Sequence, residues 1–580
     1  MYKKLAESIR EYKKPSILSP VYVSLEVILE CIIPLIISKL VDNISAGCTL
    51  DVIVKYGLIL VILALASLAC GALAGVECAK ASAGFAKNLR NDMFARIQTF
   101  SFENIDKFST ASLVTRMTTD VSNVQNAYMM IIRIAVRGPL MLVFALAMAF
   151  IMGGKMAFMF VVLAPLLAFG LLMIIRNAMP LFRAVFKKYD ALNSSIQENI
   201  KGMRVVKSYV REDYEKEKFK GTAQDVCNDF TKAEKIVALN GPMMQFCLYC
   251  VMIVVLYIGS YVVITSHGLD LNVGELSSLL TYGFMILMSL MMLSIIFVMF
   301  TLALESAKRI VEVLEEENTI KDPENPVAYT GDGSIEFDKV SFKYSKKAER
   351  MALSDVSFKI NSGETVGIIG GTGSSKSTLV QLISRLYDVT EGKVLVGGHD
   401  VKEYTLDDLR SQVAMVLQKN VLFSGTIKEN LRWGDKEATD EEIIHACKLA
   451  CADEFIEKMP DKYDTYIEQG GANVSGGQKQ RLCIARALIM KPKILILDDS
   501  TSAVDTKTDA SIRKSFKEFI PETTKLIIAQ RISSVQDADK IIVMDGGMVN
   551  AIGTHEELLK TNDIYREVYE SQNKGGGMDE

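Results

Sequence analysis

The sequence lacks a strong charge of either sign. Its 580 residues carry 65 Lys and Arg against 69 Asp and Glu, a net charge of −4. This near balance argues against a nucleic-acid partner, which would require a basic surface. Apolar residues are abundant instead: they make up 49% of the chain, and the mean hydropathy is +0.22. Because this exceeds what soluble proteins usually carry, we expect a membrane portion.

The sequence also lacks the cysteine pattern of a disulfide-stabilised or metal-binding protein. Among ten cysteines, only Cys48 falls in a segment that we predict to be external, and cytoplasmic thiols stay reduced. His445, Cys447 and Cys451 lie at helical spacing without a fourth ligand, whereas structural zinc takes four. No cleavable signal is evident, because the first apolar run is too long for one. We interpret the cysteines as packing residues.

Six segments are long and apolar enough to cross a bilayer, which takes about 20 residues. They are 17–40, 52–75, 129–152, 156–175, 237–265 and 276–302. Lys and Arg cluster before the first segment and in the second and fourth connections, which places these regions in the cytoplasm. The two long cytoplasmic connections, 77–125 and 176–235, repeat apolar residues every three or four positions, so we predict helices that extend out of the membrane.

A glycine-rich segment follows the apolar run 365–369 and precedes a segment with helical periodicity. It consists of Gly370, Gly371, Thr372, Gly373, Ser374, Ser375, Lys376, Ser377 and Thr378. Backbone N–H groups of such a loop suit phosphates, and Lys376 adds a point charge. Ser377 offers a hydroxyl to Mg²⁺, and Asp498, after a second apolar run, offers a carboxylate. The pattern predicts a site for ATP and Mg²⁺.

A second anion site is predicted further along the chain. Ser475, Gly476, Gly477 and Gln478 place a hydroxyl and bare backbone amides just ahead of a helix. One ATP cannot easily use both sites of a single chain, so the second site should serve a facing subunit. The two patterns together predict a dimer.

These residues resemble the ATP-binding cassette (ABC) transporters, and six spans ahead of a nucleotide domain resemble half-transporters of the exporter type. The likeness covers nearly the whole chain and rests on Tyr344, the 370–378 loop, Gln418, the 475–478 segment, Asp498 and Asp505. It implies that Tyr344 stacks on adenine, that Gln418 links Mg²⁺ to the coupling helices, and that Asp505 reaches across the dimer. Segments 102–120 and 189–207 resemble the coupling regions that press on the ATPase.

Three positions depart from the family pattern, all in one ATP site. The family has a glutamate after the strand aspartate, whereas Asp499 is one methylene shorter and reaches less far toward an attacking water. Gln530 stands where family members have a histidine, and it cannot carry a proton in the same way. Ser375 replaces the last loop glycine and adds a side chain where backbone should approach phosphate.

The departures favour a heterodimer with one degenerate ATP site. This chain would supply Lys376, Asp498 and the weak Asp499 to that site, and the intact 475–478 segment to the competent one. The alternatives are a homodimeric lipid or peptide exporter with two slow sites, and an ATP-gated channel or sensor. For Asp499 alone, a tolerated variation stays open because an aspartate can still act as a base.

Two acids lie unusually within the first predicted span. Glu26 and Glu30 share one helix face, which is costly unless they meet a cavity or a basic partner such as Arg133 or Arg137. A structural ion pair and a site for a cationic substrate are both open. Met and Phe residues of the sixth span, around Met285 and Met292, are either packing residues or an adaptable surface for apolar ligands.

The predicted architecture is a multidomain membrane protein: a six-helix all-α transmembrane domain followed by an α/β P-loop nucleotide-binding domain. We place the boundaries at 1–315 for the transmembrane domain, 316–334 for a linker, 335–570 for the nucleotide domain and 571–580 for a flexible tail. The expected setting is the plasma membrane, with the nucleotide domain in the cytoplasm. The expected activity is ATP-driven export of a hydrophobic or amphipathic, drug-like compound.

Overall fold

A computed structural model describes residues 1–266, 270–345, 348–499 and 504–575. The chain divides into two compact units, one formed by Met1–Thr99 with Ser109–Glu316 and the other by Phe100–Phe108 with Glu317–Glu580. The described part of the first unit is helical, and the second is α/β. The predicted tail, 571–580, lies outside the described residues from position 576 onward.

Within the described residues, eleven α-helices precede the first strand. They are α1 (Tyr2–Ala6), α2 (Lys13–Ser45), α3 (Leu50–Gln98), α4 (Phe102–Phe108), α5 (Thr110–Thr115), α6 (Val121–Gly153), α7 (Phe158–Lys201), α8 (Met203–Ser208), α9 (Glu212–Val237), α10 (Asn240–Thr265) and α11 (Val273–Glu315). Helix α4 belongs to the second unit, although its neighbours in sequence belong to the first.

The predicted spans lie in α2, α3, α6, α7, α10 and α11. Five described stretches qualify as membrane-crossing by length and hydropathy, because one of them, Thr110–Phe182, runs through both α6 and α7. These two helices are separated at Gly154, whose φ of 49° is accessible to glycine without a Cβ clash. Helices α3, α7 and α11 have 49, 44 and 43 residues, well beyond the roughly 20 that a bilayer requires. Helices of these lengths are longer than a bilayer requires, as the predicted extensions need.

The second unit contains the strands and the remaining helices. The strands are β1 (Ile335–Phe342), β2 (Leu353–Ile360), β3 (Thr365–Gly370), β4 (Glu391–Val396), β5 (His399–Asp400), β6 (Val413–Val416), β7 (Gly425–Thr426), β8 (Tyr466–Ile467), β9 (Ile494–Asp498), β10 (Thr524–Ile528), β11 (Lys540–Asp545) and β12 (Met548–Gly553). The helices are α12 (Lys376–Ile383), α13 (Leu406–Gln412), α14 (Ile427–Leu431), α15 (Asp440–Leu449), α16 (Asp453–Ile456), α17 (Gly476–Ile489), α18 (Thr506–Phe519), α19 (His555–Thr561) and α20 (Asp563–Gly575).

The main sheet has the strand order β12-β11-β3-β10-β9-β6, and only its edge strand β12 pairs antiparallel. Strands β9 and β10 are buried along their whole length, as expected for strands covered on both faces. Strand β10 lies between β3 and β9, and Ile528 pairs with both Ile368 and Asp498. The carboxyl ends of β3 and β9 therefore meet at one edge of the sheet. A smaller antiparallel sheet has the order β2-β1-β4-β5.

Five described helices begin with a reciprocal capping box. The capping side chain accepts a hydrogen bond from the backbone N–H three residues later, and the side chain of that later residue accepts one from the backbone N–H of the cap. Four of these boxes use glutamate as the returning residue: Asn272 with Glu275, Thr426 with Glu429, Thr439 with Glu442 and Thr554 with Glu557. The fifth, at the start of α17, pairs Ser475 with the neutral Gln478.

Candidate functional site

The phosphate loop joins β3 to α12 at the edge where β9 also ends. Lys376 folds its ammonium back over the loop and donates to the carbonyl oxygens of Gly370 at 2.8 Å and Gly371 at 2.9 Å, and to Ser374 Oγ at 3.2 Å. The loop is thereby held closed around a positive charge. Phosphate oxygens are stronger partners for an ammonium than neutral carbonyls, so they would replace these contacts.

Ser377 and Asp498 meet as the sequence predicts. Ser377 Oγ donates to Asp498 Oδ1 at 2.9 Å, and Asp498 is buried. Burial raises the pKa of Asp498 above its usual range, and the neighbouring Asp499 raises it further. Burial also lowers the pKa of Lys376. Each group therefore gains from an opposite charge, which Mg²⁺ and a nucleotide phosphate would supply, and the hydroxyl and carboxylate oxygens are ligands that Mg²⁺ prefers.

Ser375 adopts a backbone conformation that favours glycine. Its φ is 69° and its ψ is 27°, in the left-handed region, at the residue directly before α12. An L-residue with a Cβ costs roughly 1 kcal/mol more than glycine in this region. The substitution that the sequence singled out therefore strains the turn as well as adding a side chain.

Asp499 is held by amide side chains. Its Oδ2 accepts from Gln530 Nε2 at 2.7 Å and from Gln418 Nε2 at 3.4 Å, and its backbone oxygen accepts from Gln480 Nε2 at 3.3 Å. The parallel pairing of β9 with β10 produces this meeting, since residues 499 and 530 follow the ends of neighbouring strands. The carboxylate oxygen nearest Gln530 thus accepts from an amide, which does not titrate and cannot take up a proton as a histidine can.

Tyr344, the predicted adenine contact, is part of an aromatic cluster. Its hydroxyl is 2.8 Å from Thr378 Oγ1, and its ring packs edge-on against Tyr387 with centroids 5.2 Å apart. Tyr387 in turn donates its hydroxyl to Asp106 Oδ2 of α4 at 2.8 Å. Both tyrosines line a cavity of about 430 Å³ that also reaches Glu103. No motif marks Tyr387, which the sequence analysis did not single out, whereas Asp106 lies in the 102–120 segment that resembles a coupling region.

The 475–478 segment forms the exposed start of α17. Ser475 Oγ accepts from the backbone N–H of Gln478 at 3.3 Å, and Gln478 Oε1 accepts from the N–H of Ser475 at 2.9 Å. Ser475 and Gly476 are exposed, so the positive end of this 14-residue helix faces solvent.

Asp505, also exposed, is the amino-terminal cap of α18, without a returning side chain. It accepts from the N–H of Thr508 at 2.9 Å, a bond that lowers the pKa of the Asp505 carboxyl.

The structure thus gathers one group of predicted residues and keeps another apart. The phosphate loop, Gln418, Asp498, Asp499 and Gln530 are joined by the contacts above, and Tyr344 is tied to the loop through Thr378. Ser475 and Asp505 cap separate helices with exposed amino termini. One cluster can hold the phosphates and Mg²⁺ of a nucleotide, and the exposed α17 terminus can bind an anion carried by another molecule.

Comparison with known proteins gives the same assignment for both halves. Family models match the ABC transporter transmembrane region over residues 17–304 and the ABC transporter over residues 353–502. The chain is 37% identical over 547 residues to the uncharacterized ABC transporter ATP-binding protein YfiB of Bacillus subtilis, covering 94% of each chain. It is 34% identical over 573 residues to the uncharacterized ABC transporter ATP-binding protein Rv1273c of Mycobacterium tuberculosis, covering 98% of this chain and 97% of that one.

Among solved structures, the chain matches a bacterial Atm1-family ABC exporter with ATP bound, at a TM-score of 0.81 and 24% identity, over 97% of this chain and 98% of that one. This likeness shows a shared fold. A transmembrane region fused to a nucleotide-binding domain of this type implies an ATPase coupled to transport. The chain therefore belongs to the ABC transporter family, as a multi-pass plasma-membrane protein whose nucleotide-binding domain lies in the cytoplasm.

Proposed function

We propose that this chain is one half of a heterodimeric exporter that moves a hydrophobic or amphipathic, drug-like compound out of the cytoplasm. ATP and Mg²⁺ would bind two composite sites between the halves. The site built on this chain's phosphate loop would bind ATP with little hydrolysis. The site completed by this chain's 475–478 segment would hydrolyse it and reset the transporter.

This proposal rests on the hydrogen bond that Gln530 Nε2 donates to Asp499 Oδ2. A general base must present a free carboxylate oxygen within hydrogen-bonding distance of the water that it deprotonates. Here the shorter acid is turned toward an amide at 2.7 Å, and it sits at a φ of 48° that limits its backbone. The residues that bind phosphate, Lys376, Ser377 and Asp498, keep the chemistry that binding needs. Binding and hydrolysis are therefore separable at this site.

The partner would contribute what this chain lacks. In the competent site, a partner glutamate and histidine would act on the attacking water, while Ser475 and the amides of Gly476 and Gly477 would bind the γ-phosphate. The exposure of Ser475 and Gly476 supports this role, since a second subunit must reach them. A loss of transition-state charge stabilisation at such donors typically costs 10²–10³ in turnover.

The decisive experiment compares the ATPase rate of this chain alone with that of the chain co-expressed with a candidate partner half whose strand aspartate is followed by glutamate. We expect activity only with the partner. Asp499→Asn should leave the rate of the pair nearly unchanged, whereas substituting the partner's glutamate with glutamine should abolish it. Lys376→Ala serves as the control that removes nucleotide binding from this chain's own loop.

A normal transporter rate from this chain alone, abolished by Asp499→Asn, would contradict the heterodimer and establish a homodimer with a working Asp499. Substrate accumulation against a gradient in vesicles separates a pump from an ATP-gated channel. ATP binding without any accumulation would favour the channel or sensor.

A further inference from the structure

An ionic cluster lies inside the membrane domain, apart from the nucleotide sites. Arg137 of α6 donates to Glu26 Oε1 at 2.6 Å and to both carboxylate oxygens of Glu30 at 2.8 Å. One guanidinium therefore serves two acids. Charged groups at this depth are costly and usually mark a functional site or a mutual pair.

The cluster is not balanced by its own members. Two carboxylates and one guanidinium leave one excess negative charge, and Glu26 Oε2 is buried without a hydrogen-bond donor among the described residues. Arg133, one helical turn before Arg137, lies instead against Gly75 of α3 and forms no ion pair within the described part of the chain. A purely structural pair would need one acid, so the second acid requires another explanation.

The two acids point away from the surface that faces lipid. The exposed apolar residues of α2, Ile17, Val21, Leu25 and Ile28, share one face. Glu26 and Glu30 lie about half a turn around the helix from this face. The side chain of Glu30 nevertheless keeps 24% of its surface accessible, and that of Arg137 keeps 21%. Glu30 and Arg137 are therefore partly accessible on the side of α2 opposite its exposed apolar face.

The neighbouring side chains suit a ligand that is both cationic and apolar. Tyr22 precedes Glu26 by one turn on the same face of α2 and is only partly buried. It belongs to the same apolar cluster between α2 and α6 as Met141 and Phe144, and Met141 lies beside Cys31, one residue after Glu30. An aromatic face next to a carboxylate attracts an organic cation through its quadrupole and its apolar body together. Methionine adapts its shape to varied apolar groups.

We propose that Glu26, Glu30 and Arg137 form a recognition site for a lipophilic organic monocation, with Glu30 as the contacting carboxylate. Arg137 positions both acids and lowers the cost of burying them, while the uncompensated charge selects a single positive charge on the ligand. This inference rests on the proposed export function, for which it names the substrate class. Gly71 of α3 supports the geometry, because a Cβ there would lie 2.9 Å from Glu26 Oε1.

The test is binding to the purified full-length transporter in lipid nanodiscs, without ATP, of tetraphenylphosphonium and of neutral triphenylphosphine oxide. We expect the wild type to prefer the cation. Glu30→Gln should weaken tetraphenylphosphonium binding by about tenfold, equivalent to ~1.4 kcal/mol, and change triphenylphosphine oxide binding little. Glu30→Asp keeps the charge and should retain most of the preference.

Three results would overturn the site: no preference of the wild type for the cation, a Glu30→Gln loss that is equal for both probes, or no change with Glu30→Gln. The last two assign the cluster a structural role. Because binding is measured without hydrolysis, failure here is distinguishable from failure of the asymmetric ATPase, which the co-expression experiment tests separately.

Discussion

The two nucleotide-facing surfaces of this chain differ in how their polar groups are arranged. On the phosphate-loop side, Asp499 accepts a hydrogen bond from Gln530, and Ser375 has a left-handed backbone conformation. Lys376 donates to the backbone of its own loop. On the signature side, Ser475 and Gly476 are exposed at the amino end of a regular helix. The first surface keeps the groups that bind a nucleotide, and the second keeps a complete anion site. In the proposed heterodimer, this difference would let one chain hold ATP at one site and support its hydrolysis at the other.

The largest effect on turnover is expected from a substitution on the signature side, in the 475–478 segment. Gly476→Asp places a carboxylate at the start of α17, where it would repel a γ-phosphate. In a heterodimer, we expect turnover to fall by about 100-fold, or ~2.7 kcal/mol in the barrier. Gly476→Ala adds a Cβ without charge and is the matched control. A fall of similar size with Asp499→Asn would remove the asymmetry.

On the phosphate-loop side, substitutions toward the family pattern should instead raise the ATPase rate. Asp499→Glu combined with Gln530→His restores reach and a titratable partner, so we expect the residual ATPase rate of a pair whose partner glutamate is replaced by glutamine to rise by about tenfold or more. Either single substitution should give less, because the two side chains are in contact and their effects couple. The measurement is phosphate release from the purified pair. An unchanged rate for the double variant would mean that other features silence this site.

Removing strain from the phosphate loop should give a smaller effect. Ser375→Gly relieves the left-handed conformation, and we expect the unfolding midpoint of the nucleotide domain to rise by about 2–4 °C. Ser511→Gly, in the regular helix α18, is the control and should lower the midpoint, since glycine weakens helix interiors. Differential scanning calorimetry of the full chain measures both. A lower midpoint for Ser375→Gly would show that its side chain stabilises the loop.

The smallest effect is expected at the hydrogen bond between Tyr387, on the phosphate-loop side, and Asp106 of α4. Tyr387→Phe removes the hydroxyl that donates to Asp106 but keeps the ring beside Tyr344. We expect the affinity of this chain's site for ATP to change by about two- to threefold, as one exposed hydrogen bond is worth ~0.5–1 kcal/mol. Asp106→Asn should act similarly, and the double variant should add little. Full additivity in fluorescent ATP-analogue binding would show that the two side chains act independently.

Much of the architecture could be predicted because its signals are local. Apolar runs identify the spans, and a turn of glycines between an apolar run and a helix identifies the phosphate loop. The hydrogen bond between Ser377 and Asp498 also follows from the order of the motifs along the chain, since each motif follows a strand and both lie at the carboxyl edge of a parallel sheet. The odd residues at 499 and 530 were visible in the sequence as departures from a pattern.

What could not be predicted depends on distant pairing and on helix rotation. Gln530 reaches Asp499 only because β9 and β10 are neighbours in register, which no local pattern specifies. Arg133 and Arg137 are one turn apart on α6, and only the packed helices show that Arg137 bridges the acids while Arg133 lies against Gly75. Tyr387 gains its role from α4, a helix far away in sequence.

The neutral capping box of α17 has a consequence for assembly. Glutamate returns to the cap in the four other boxes of the described helices and adds negative charge to a positive helix end. Gln478 makes the same hydrogen bond without that charge, so α17 forgoes about 0.3–1 kcal/mol of its own stability. A phosphate on the opposite subunit would supply the missing charge. In the proposed dimer, part of the free energy of closing on a nucleotide would thus come from relieving a slight local instability at this end of α17.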